Sequence, residues 1–278
     1  MSNQAERGAT FRRLHGAGPV LVLPNAWDVA SARLFERAGF PALATTSAGA
    51  AFALGYPDGE RMPRAEMVAA VRRIAARVTV PVSADMEAGY GPHPEDVAHT
   101  VRETIAAGAV GMNLEDADPA GAGLFAVDRQ IDRVRAAREM AEATGVPFVL
   151  NARTDVFLAH VGEPAERLGH AVRRLNAYRA AGADCLFVPG VVDAPTIAAL
   201  VREVAGPLNV LAVRGTPPVA ELQRMGVRRV SVGSGPMRAA LGLVRRIAEE
   251  FQGGGTFDTM TAGAIPHDEV NRLMADDT

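Results

Sequence analysis

Short apolar runs alternate with longer amphipathic stretches along the whole chain. Eight of the runs have the length and composition of buried strands, at residues 20–24, 42–47, 82–85, 110–115, 148–153, 185–189, 210–214 and 230–234. The stretches between them combine apolar residues with arginine-rich polar positions, as at residues 64–78, 94–107 and 165–180. Strands that alternate with helices predict βαβ units and a parallel sheet.

Glycine marks the junction between several helical stretches and the strands that follow. Gly39, Gly108, Gly182 and Gly226 each stand just after a helical pattern and just before an apolar run, which is typical of helix C-caps. The eight units follow one another without a linker, and no Gly-x-Gly-x-x-Gly follows the first strand. We therefore predict an α/β fold, a (β/α)8 TIM barrel that forms a single domain over residues 1–278, rather than an open doubly wound sheet.

The C-terminal segment departs from this regular pattern. Three glycines at residues 253–255 form a flexible break, and a short helical pattern follows at residues 266–274. Two interpretations remain open on this pattern alone: a frayed terminus, or a helix that leaves its own barrel and packs on a neighbouring copy.

Composition narrows the possible partners and location. The chain is 48% hydrophobic and 22% charged, with a formal net charge of -3. Neither a nucleic acid nor an anionic membrane is indicated as a partner. The first eleven residues lack the apolar core of a signal peptide, and no apolar run approaches the roughly 20 residues of a membrane helix. We expect a cytoplasmic protein.

The basic and sulfur-containing residues exclude several chemistries. The chain has no lysine, so all 29 basic residues counted are arginine. Imine catalysis and a P-loop both need lysine and are therefore excluded. Cys185 is the single cysteine, which excludes an internal disulfide, and its place within an apolar run predicts a core position. A carbanion would have to be stabilised by a metal, an oxyanion site or an organic cofactor.

Carboxylates gather where the third and fourth predicted strands end. Asp85 and Glu87 share one face of the third strand, and Glu115 ends the fourth. In a barrel these strand ends form the active site. Three unpaired carboxylates in one cleft would repel one another, and oxygen ligands favour Mg²⁺, or Mn²⁺, over Zn²⁺. The alternative is that these carboxylates pair with arginines at the barrel rim.

Other candidate residues stand at neighbouring strand ends. Arg153 ends the fifth strand, where a bidentate guanidinium could hold a carboxylate or phosphate, although it could instead pair with Asp116 or Asp155. Small residues at 47–49 could offer backbone N–H groups to an anion. Asp58 lies in a Pro-Asp-Gly turn after the second strand, where aspartate is often structural.

Together these segments resemble the isocitrate lyase/phosphoenolpyruvate mutase superfamily. The resemblance covers essentially the whole chain, and its most specific parts are Asp-x-Glu-x-Gly-Tyr-Gly at residues 85–91 and Asn-Ala-Arg-Thr-Asp at residues 151–155. Further matches lie at residues 24–28, 45–49, 55–59 and 111–116. The resemblance implies a barrel whose eighth helix is exchanged between subunits. Residues 253–278 would then be an exchanged helical extension in a homo-oligomer, either a dimer or a tetramer.

The resemblance also implies roles for individual residues. The Mg²⁺ positions are Asp85, Glu87 and Glu115, several of them acting through water. The turn that holds a substrate carboxylate or phosphoryl group is matched by Thr46, Ser47 and Ala48. The remaining matches are Asp58, an acid near substrate and metal, and Arg153, the arginine that binds the substrate. We expect Asp58, Arg153 and Glu115 to be catalytic, and we expect Asp85 and Trp27, which lies in the segment after the first strand, to bind substrate as well.

One departure from the family limits the activities that can be expected. Isocitrate and methylisocitrate lyases carry a Cys-Gly-His element in the gating loop after the fourth strand, and mutases carry Lys and Asn there. Here residues 116–124 read Asp-Ala-Asp-Pro-Ala-Gly-Ala-Gly-Leu, with neither set. Neither of those named activities is therefore expected.

We expect instead a Mg²⁺-dependent carbon–carbon lyase acting on a small 2-oxo or 2-hydroxy dicarboxylic acid through a pyruvate-like enolate. Oxaloacetate-type decarboxylation and 2-alkylmalate-type cleavage are both compatible, and decarboxylation needs least from the loop because CO₂ leaves without a base. Two alternatives stay open. One is mutase- or hydrolase-type P–C chemistry on a phosphonopyruvate-like substrate, and the other is a non-catalytic barrel that binds 2-oxo acids.

Overall fold

The computed structural model describes residues 2–16, 18–121 and 123–275. Its single parallel sheet has nine segments: β1 (Leu21–Leu23), β2 (Asn25–Ala26), β3 (Leu43–Thr45), β4 (Val82–Asp85), β5 (Gly111–Glu115), β6 (Val149–Arg153), β7 (Cys185–Val188), β8 (Leu208–Leu211) and β9 (Arg229–Ser231). β1 pairs with β9, and β2 pairs with β3. Because β1 and β2 are separated only by Pro24, they occupy one strand position and close an eight-position barrel. The predicted (β/α)8 barrel is confirmed.

The helices surround this barrel. They are α1 (Ser2–Leu14), α2 (Val29–Arg37), α3 (Ser47–Ala53), α4 (Arg64–Ala75), α5 (Pro94–Ala106), α6 (Val127–Ala143), α7 (Arg167–Ala180), α8 (Ala194–Glu203), α9 (Val219–Met225), α10 (Gly235–Gly253), α11 (Asp258–Thr261) and α12 (His267–Met274). A 3₁₀ turn (Pro164–Glu166) precedes α7. The four glycines predicted as C-caps all have positive φ, between 88° and 114°, a conformation that glycine adopts without steric cost.

Most boundaries differ from the predictions by only a few residues, and one difference matters for the site. The predicted strand 42–47 ends at Thr45, because Thr46 caps α3 by accepting a hydrogen bond from Gly49 N at 3.3 Å. Ser47 and Ala48 are therefore the first residues of a helix rather than the last of a strand. The backbone N–H of Ser47, which has no intrahelical acceptor, donates instead to Asp85 Oδ2 at 3.0 Å.

Phe11 of α1 closes the amino-terminal end of the barrel. Its side chain is fully buried against interior residues that include Leu23, Val149 and Cys185. Gly111 leaves room for it, since a Cβ at that position would lie 2.8 Å from the Phe11 ring. The prediction that Cys185 is a core residue is confirmed.

The C-terminal segment lies on the outside of the barrel. The predicted helical pattern after residue 265 forms α12, which packs on α2 of the same chain: Arg33 donates from Nε to Leu273 O at 2.9 Å and from Nη2 to Ala275 O at 3.0 Å. Before it, α10 exposes Leu241, Leu243 and Val244. The exchange of residues 253–278 between subunits remains a prediction. Among the described residues, no helix has the length and apolar character needed to cross a membrane.

Candidate active site

The carboxyl ends of the strands enclose a cavity of about 180 Å³. Six of the residues singled out from the sequence line it: Thr46, Ser47, Ala48, Asp58, Asp85 and Arg153. Neutral and apolar residues complete the lining: Leu158, Phe187, Pro189, Leu211, Ser231 and Ser234. Of these, Phe187 lies beside Arg153, whose Cζ is 5.8 Å from the centroid of the Phe187 ring. Active sites of TIM barrels lie at this end, so the cavity is the candidate active site.

Asp85 is held rigidly at the end of β4. Its Oδ2 accepts hydrogen bonds from Ser47 N at 3.0 Å and Ser47 Oγ at 2.8 Å, and its Oδ1 accepts one from Asn113 Nδ2 at 3.2 Å. The backbone N–H of Asp85 donates to Thr45 Oγ1 at 2.9 Å. The start of α3 and the neighbouring strand β5 therefore fix this carboxylate in one orientation at the bottom of the cavity.

Glu87 lies beside Asp85 in a strained turn. Its φ of 51° is unusual for a residue with a side chain, and its carboxylate accepts a hydrogen bond from Glu60 N. Burial, followed by repulsion from Asp85, raises the pKa of Glu87 to about 8. Glu60 in turn accepts a hydrogen bond from Tyr90 N at 2.8 Å. The turn after β4 and the loop that carries Asp58 are thus joined through two carboxylates.

Arg153 joins the ends of β5 and β6. Its Nη1 contacts Glu115 Oε2 at 2.6 Å, while Nε and Nη2 form a bidentate pair with Asp155 at 2.6 and 2.8 Å. Burial by itself would lower the pKa of Arg153, but the two carboxylates raise it overall, so the guanidinium stays charged. Burial raises the pKa of Glu115, and its pairing with Arg153 opposes that shift. The pairing with Asp155 that the sequence left open is present, and Glu115 is paired with an arginine.

Asp58 completes the acidic side of the cavity. Burial raises its pKa first, and repulsion from Asp85 adds to the shift. Among the described residues that line the cavity, Arg153 is the one cation. The same repulsion therefore acts on Asp58 and Glu87, and both are easier to protonate than an ordinary surface carboxylate.

Trp27 lies apart from this cavity. It lines a neighbouring, more apolar cavity of about 370 Å³ together with Leu54, Ile74 and Met274. Asp28, next to it, caps α2 by accepting a hydrogen bond from Ser31 N at 2.8 Å. The structure thus places Trp27 between the barrel and α12, and its expected role in substrate binding remains a prediction.

Four polar residues of the cavity were not assigned a role from the sequence: Asn25, Asn113, Ser231 and Ser234. Asn113 orients Asp85, and Asn25 accepts hydrogen bonds from Val232 N at 2.8 Å and Gly233 N at 2.9 Å. A signal for Asn113 was present, because it stands two residues before Glu115 and so shares its face of β5. Asn25 lies in the matched segment at residues 24–28, but its hydrogen-bond partners, which follow the last strand more than 200 residues away, could not be identified from the sequence.

A closed (β/α)8 barrel with carboxylates and one buried arginine at the carboxyl ends of its strands defines the class of TIM-barrel enzymes. Comparison with known families gives the particular assignment. The phosphoenolpyruvate phosphomutase family model matches residues 11–252. The chain belongs to the isocitrate lyase/phosphoenolpyruvate mutase superfamily, as its sequence predicted.

Individual relatives agree with this assignment. A solved structure from Burkholderia cenocepacia J2315, provisionally described as a lyase or mutase, has a TM-score of 0.93 and 42% identity, covering 100% of this chain and 98% of that one. The oxaloacetate decarboxylase of Rhodopseudomonas palustris BisB5 is 29% identical over 98% of this chain and 94% of its own. The 2-methylisocitrate lyase of Escherichia coli K12 is 30% identical over 67% of this chain and 63% of its own. The names of these relatives support the expected carbon–carbon lyase class.

Proposed function

We propose that this enzyme decarboxylates oxaloacetate, or a close 2-oxo dicarboxylic acid, in a reaction that requires a divalent cation. The observation that carries the proposal is the lining of the cavity, which combines two carboxylates and one guanidinium with apolar side chains. Asp85, Asp58 and Arg153 supply the charges, and Phe187, Pro189 and Leu211 are among the apolar residues. Oxaloacetate decarboxylase is also the name of a relative that matches this chain over nearly its full length.

Arg153 is suited to hold the carboxylate next to the 2-oxo group. A guanidinium has five N–H donors. Three of them are directed at Glu115 and Asp155, which leaves two for a substrate carboxylate. The two acidic partners also fix the plane of the guanidinium before substrate arrives, so that little ordering remains to be done on binding.

The acidic residues fit a hard divalent cation, with Mg²⁺ or Mn²⁺ as the preferred ions. Among the described residues, no three acidic, histidine or cysteine side chains converge closely enough to ligate an ion by themselves. We therefore assign direct ligation to Asp85, with Glu87 and Glu115 acting through water. When bound, such a cation would draw negative charge toward the 2-oxygen of the substrate. It would also relieve the repulsion that adds to the effect of burial in raising the pKa values of Asp58 and Glu87.

The apolar part of the lining suits the carboxylate that leaves. With the other carboxylate on Arg153, we place the carboxylate on carbon 3 toward apolar residues such as Pro189 and Leu211. Cleavage leaves the bonding electron pair on the substrate as the enolate of a 2-oxo acid, and CO₂ departs uncharged. Loss of charge is favoured in an apolar environment. The enolate then takes a proton from water, so the reaction needs no acid from the loop after β5.

The residues of the loop after β5 are consistent with a reaction that needs no acid from this loop. Asp116 is fully buried and bonded to other protein groups, and Asp118 accepts a hydrogen bond from the backbone N–H of Ala120 at 3.0 Å. A bridge between Ala117 and Leu124 closes the loop on itself. Among its described residues, the loop therefore presents no thiol or imidazole that could protonate a leaving group.

The test is to measure pyruvate release from oxaloacetate with the protein and Mg²⁺, with EDTA, and with Mg²⁺ alone. Turnover well above the rate with metal alone, lost with EDTA and in Asp85→Asn, would support the proposal. A rate equal to that of the metal alone would refute it. Turnover of phosphonopyruvate instead would indicate P–C chemistry, and tight Mg²⁺-dependent oxalate binding without turnover of any 2-oxo acid would indicate a binding protein.

A further inference from the structure

Asp116 is the most heavily bonded carboxylate next to the site, and the proposed reaction makes no use of it. It directly follows Glu115 at the end of β5 and is fully buried. Its side chain accepts four hydrogen bonds: from Asp155 N at 2.9 Å, Thr154 Oγ1 at 2.7 Å, Tyr178 Oη at 2.7 Å and Arg174 Nη1 at 3.1 Å. A buried carboxylate with this many donors is a fixed structural centre.

Two of these bonds act on the turn that follows Arg153. Thr154 and Asp155 follow the end of β6, where the backbone N–H of Thr154 still donates to Phe187 O of β7 at 2.9 Å. Oδ1 of Asp116 binds the backbone of Asp155, and Oδ2 binds the hydroxyl of Thr154. Asp155 is the residue that grips Arg153 in a bidentate pair. The orientation of Arg153 therefore depends on Asp116 through one intermediate residue.

The backbone of Asp116 acts on the loop at residues 116–125. Its N–H donates to Arg153 O at 3.2 Å, and its carbonyl accepts a hydrogen bond from Phe125 N at 2.8 Å. Both ends of the loop thus meet at Asp116. The remaining two side-chain bonds, from Tyr178 and Arg174, anchor this junction to α7 on the outside of the barrel.

We propose that Asp116 is a positioning residue that sets the orientation of Arg153 and links it to the base of the loop at residues 116–125. The inference rests on the proposed function only in taking Arg153 as the clamp for the substrate carboxylate. Asp116 touches neither the cavity nor the substrate. Its effect passes through the Thr154–Asp155 turn. A small displacement of that turn would misalign the bidentate contact between Asp155 and Arg153.

Three variants and two measurements test the inference. Asp116→Asn keeps the size of the side chain and removes its charge, while Tyr178→Phe removes one donor and leaves the bond to Asp155 N. The matched control is Asp184→Asn, because Asp184 also joins an arginine (Arg138) and a backbone N–H (Leu150, 2.8 Å), but at the opposite end of the barrel. The measurements are hydrogen exchange at the Arg153 Nε–H by NMR, and oxalate affinity in the presence of Mg²⁺.

We expect Asp116→Asn to speed exchange at the Arg153 Nε–H by about tenfold or more and to weaken oxalate binding by about 10- to 100-fold. Tyr178→Phe should shift both in the same direction by less, and Asp184→Asn should shift neither, even though it lowers the melting temperature. Wild-type exchange and affinity in a folded Asp116→Asn would overturn the inference, as would an equal loss of affinity in Asp184→Asn.

If Asp116→Asn does not fold, the test of the inference is Tyr178→Phe, with the same measurements of Arg153 Nε–H exchange and oxalate affinity. Wild-type values of both in this variant would then overturn the inference. If the wild-type protein does not bind oxalate, the proposed function fails, whereas the exchange measurement still shows whether Asp116 orients Arg153.

Discussion

Replacing Arg153 by lysine separates the charge of this residue from its planar shape. The guanidinium reaches Glu115 and Asp155 at 2.6–2.8 Å through three nitrogens and still has two donors for substrate. A lysine ammonium keeps the charge but is a point donor that cannot hold two carboxylates and form a bidentate contact as well. Arg153→Lys should therefore keep the fold and lose the substrate clamp.

The magnitude follows from the hydrogen bonds that are lost. A hydrogen bond to a charged group contributes about 1.5–3 kcal/mol. If lysine keeps one substrate contact and loses the other, kcat/KM should fall by about 10- to 150-fold, since 1.36 kcal/mol corresponds to a factor of ten. Because the clamp contacts a carboxylate that does not react, most of the loss should appear in KM rather than in kcat.

The assay is steady-state pyruvate release from oxaloacetate with saturating Mg²⁺. Arg138→Lys is the matched control, because the Arg138 guanidinium also binds a carboxylate, that of Asp184. It donates in addition to two carbonyls, Gly182 O at 2.9 Å and Phe148 O at 3.3 Å, and all these contacts lie far from the cavity. Arg138→Lys should leave KM unchanged. A kcat/KM for Arg153→Lys within about threefold of wild type would show that charge alone suffices and would refute the geometric argument.

Three further predictions concern stability and assembly. Burial, followed by repulsion from Arg229, lowers the pKa of His15 from 6.5 to about 4, so protonation favours the unfolded chain. Lowering the pH from 7.5 to 5 should therefore remove about 2 kcal/mol of the His15 contribution, measured in urea as the change in the difference between wild type and His15→Phe. Taking this difference cancels the opposite effect of Glu87, whose raised pKa makes protonation favour the folded chain. Phe11→Ala should lower the free energy of unfolding by about 3–5 kcal/mol, because it empties the closed end of the barrel, and a loss below about 1 kcal/mol would contradict that packing. If the C-terminal helices are exchanged between copies, Val244→Asp on the exposed face of α10 should reduce the mass measured by light scattering to that of one chain, 29.2 kDa, whereas a monomeric wild type would refute the exchange.

Local patterns predicted most of the fold because each strand and helix carries its own signal. The apolar run at residues 82–85 has the bounds of β4, and the four glycine caps lie where a helix must stop before a strand begins. The strand that ends at Thr45 was predicted to continue two residues too far, because Thr46 caps the next helix and Ser47 begins it. A cap depends on one side-chain hydrogen bond, and residue type alone does not show whether that bond forms.

The sequence by itself determined the alternation of strands and helices, the absence of imine chemistry, and the set of carboxylates and arginine at the strand ends. Tertiary structure alone decided how these charges are divided. It paired Glu115 and Asp155 with Arg153, left Asp85 facing the cavity, and turned Trp27 toward a different cavity. The physical reason is that strand order brings residues to the same barrel end, whereas pairing depends on the directions of side chains and the distances between them within the folded barrel.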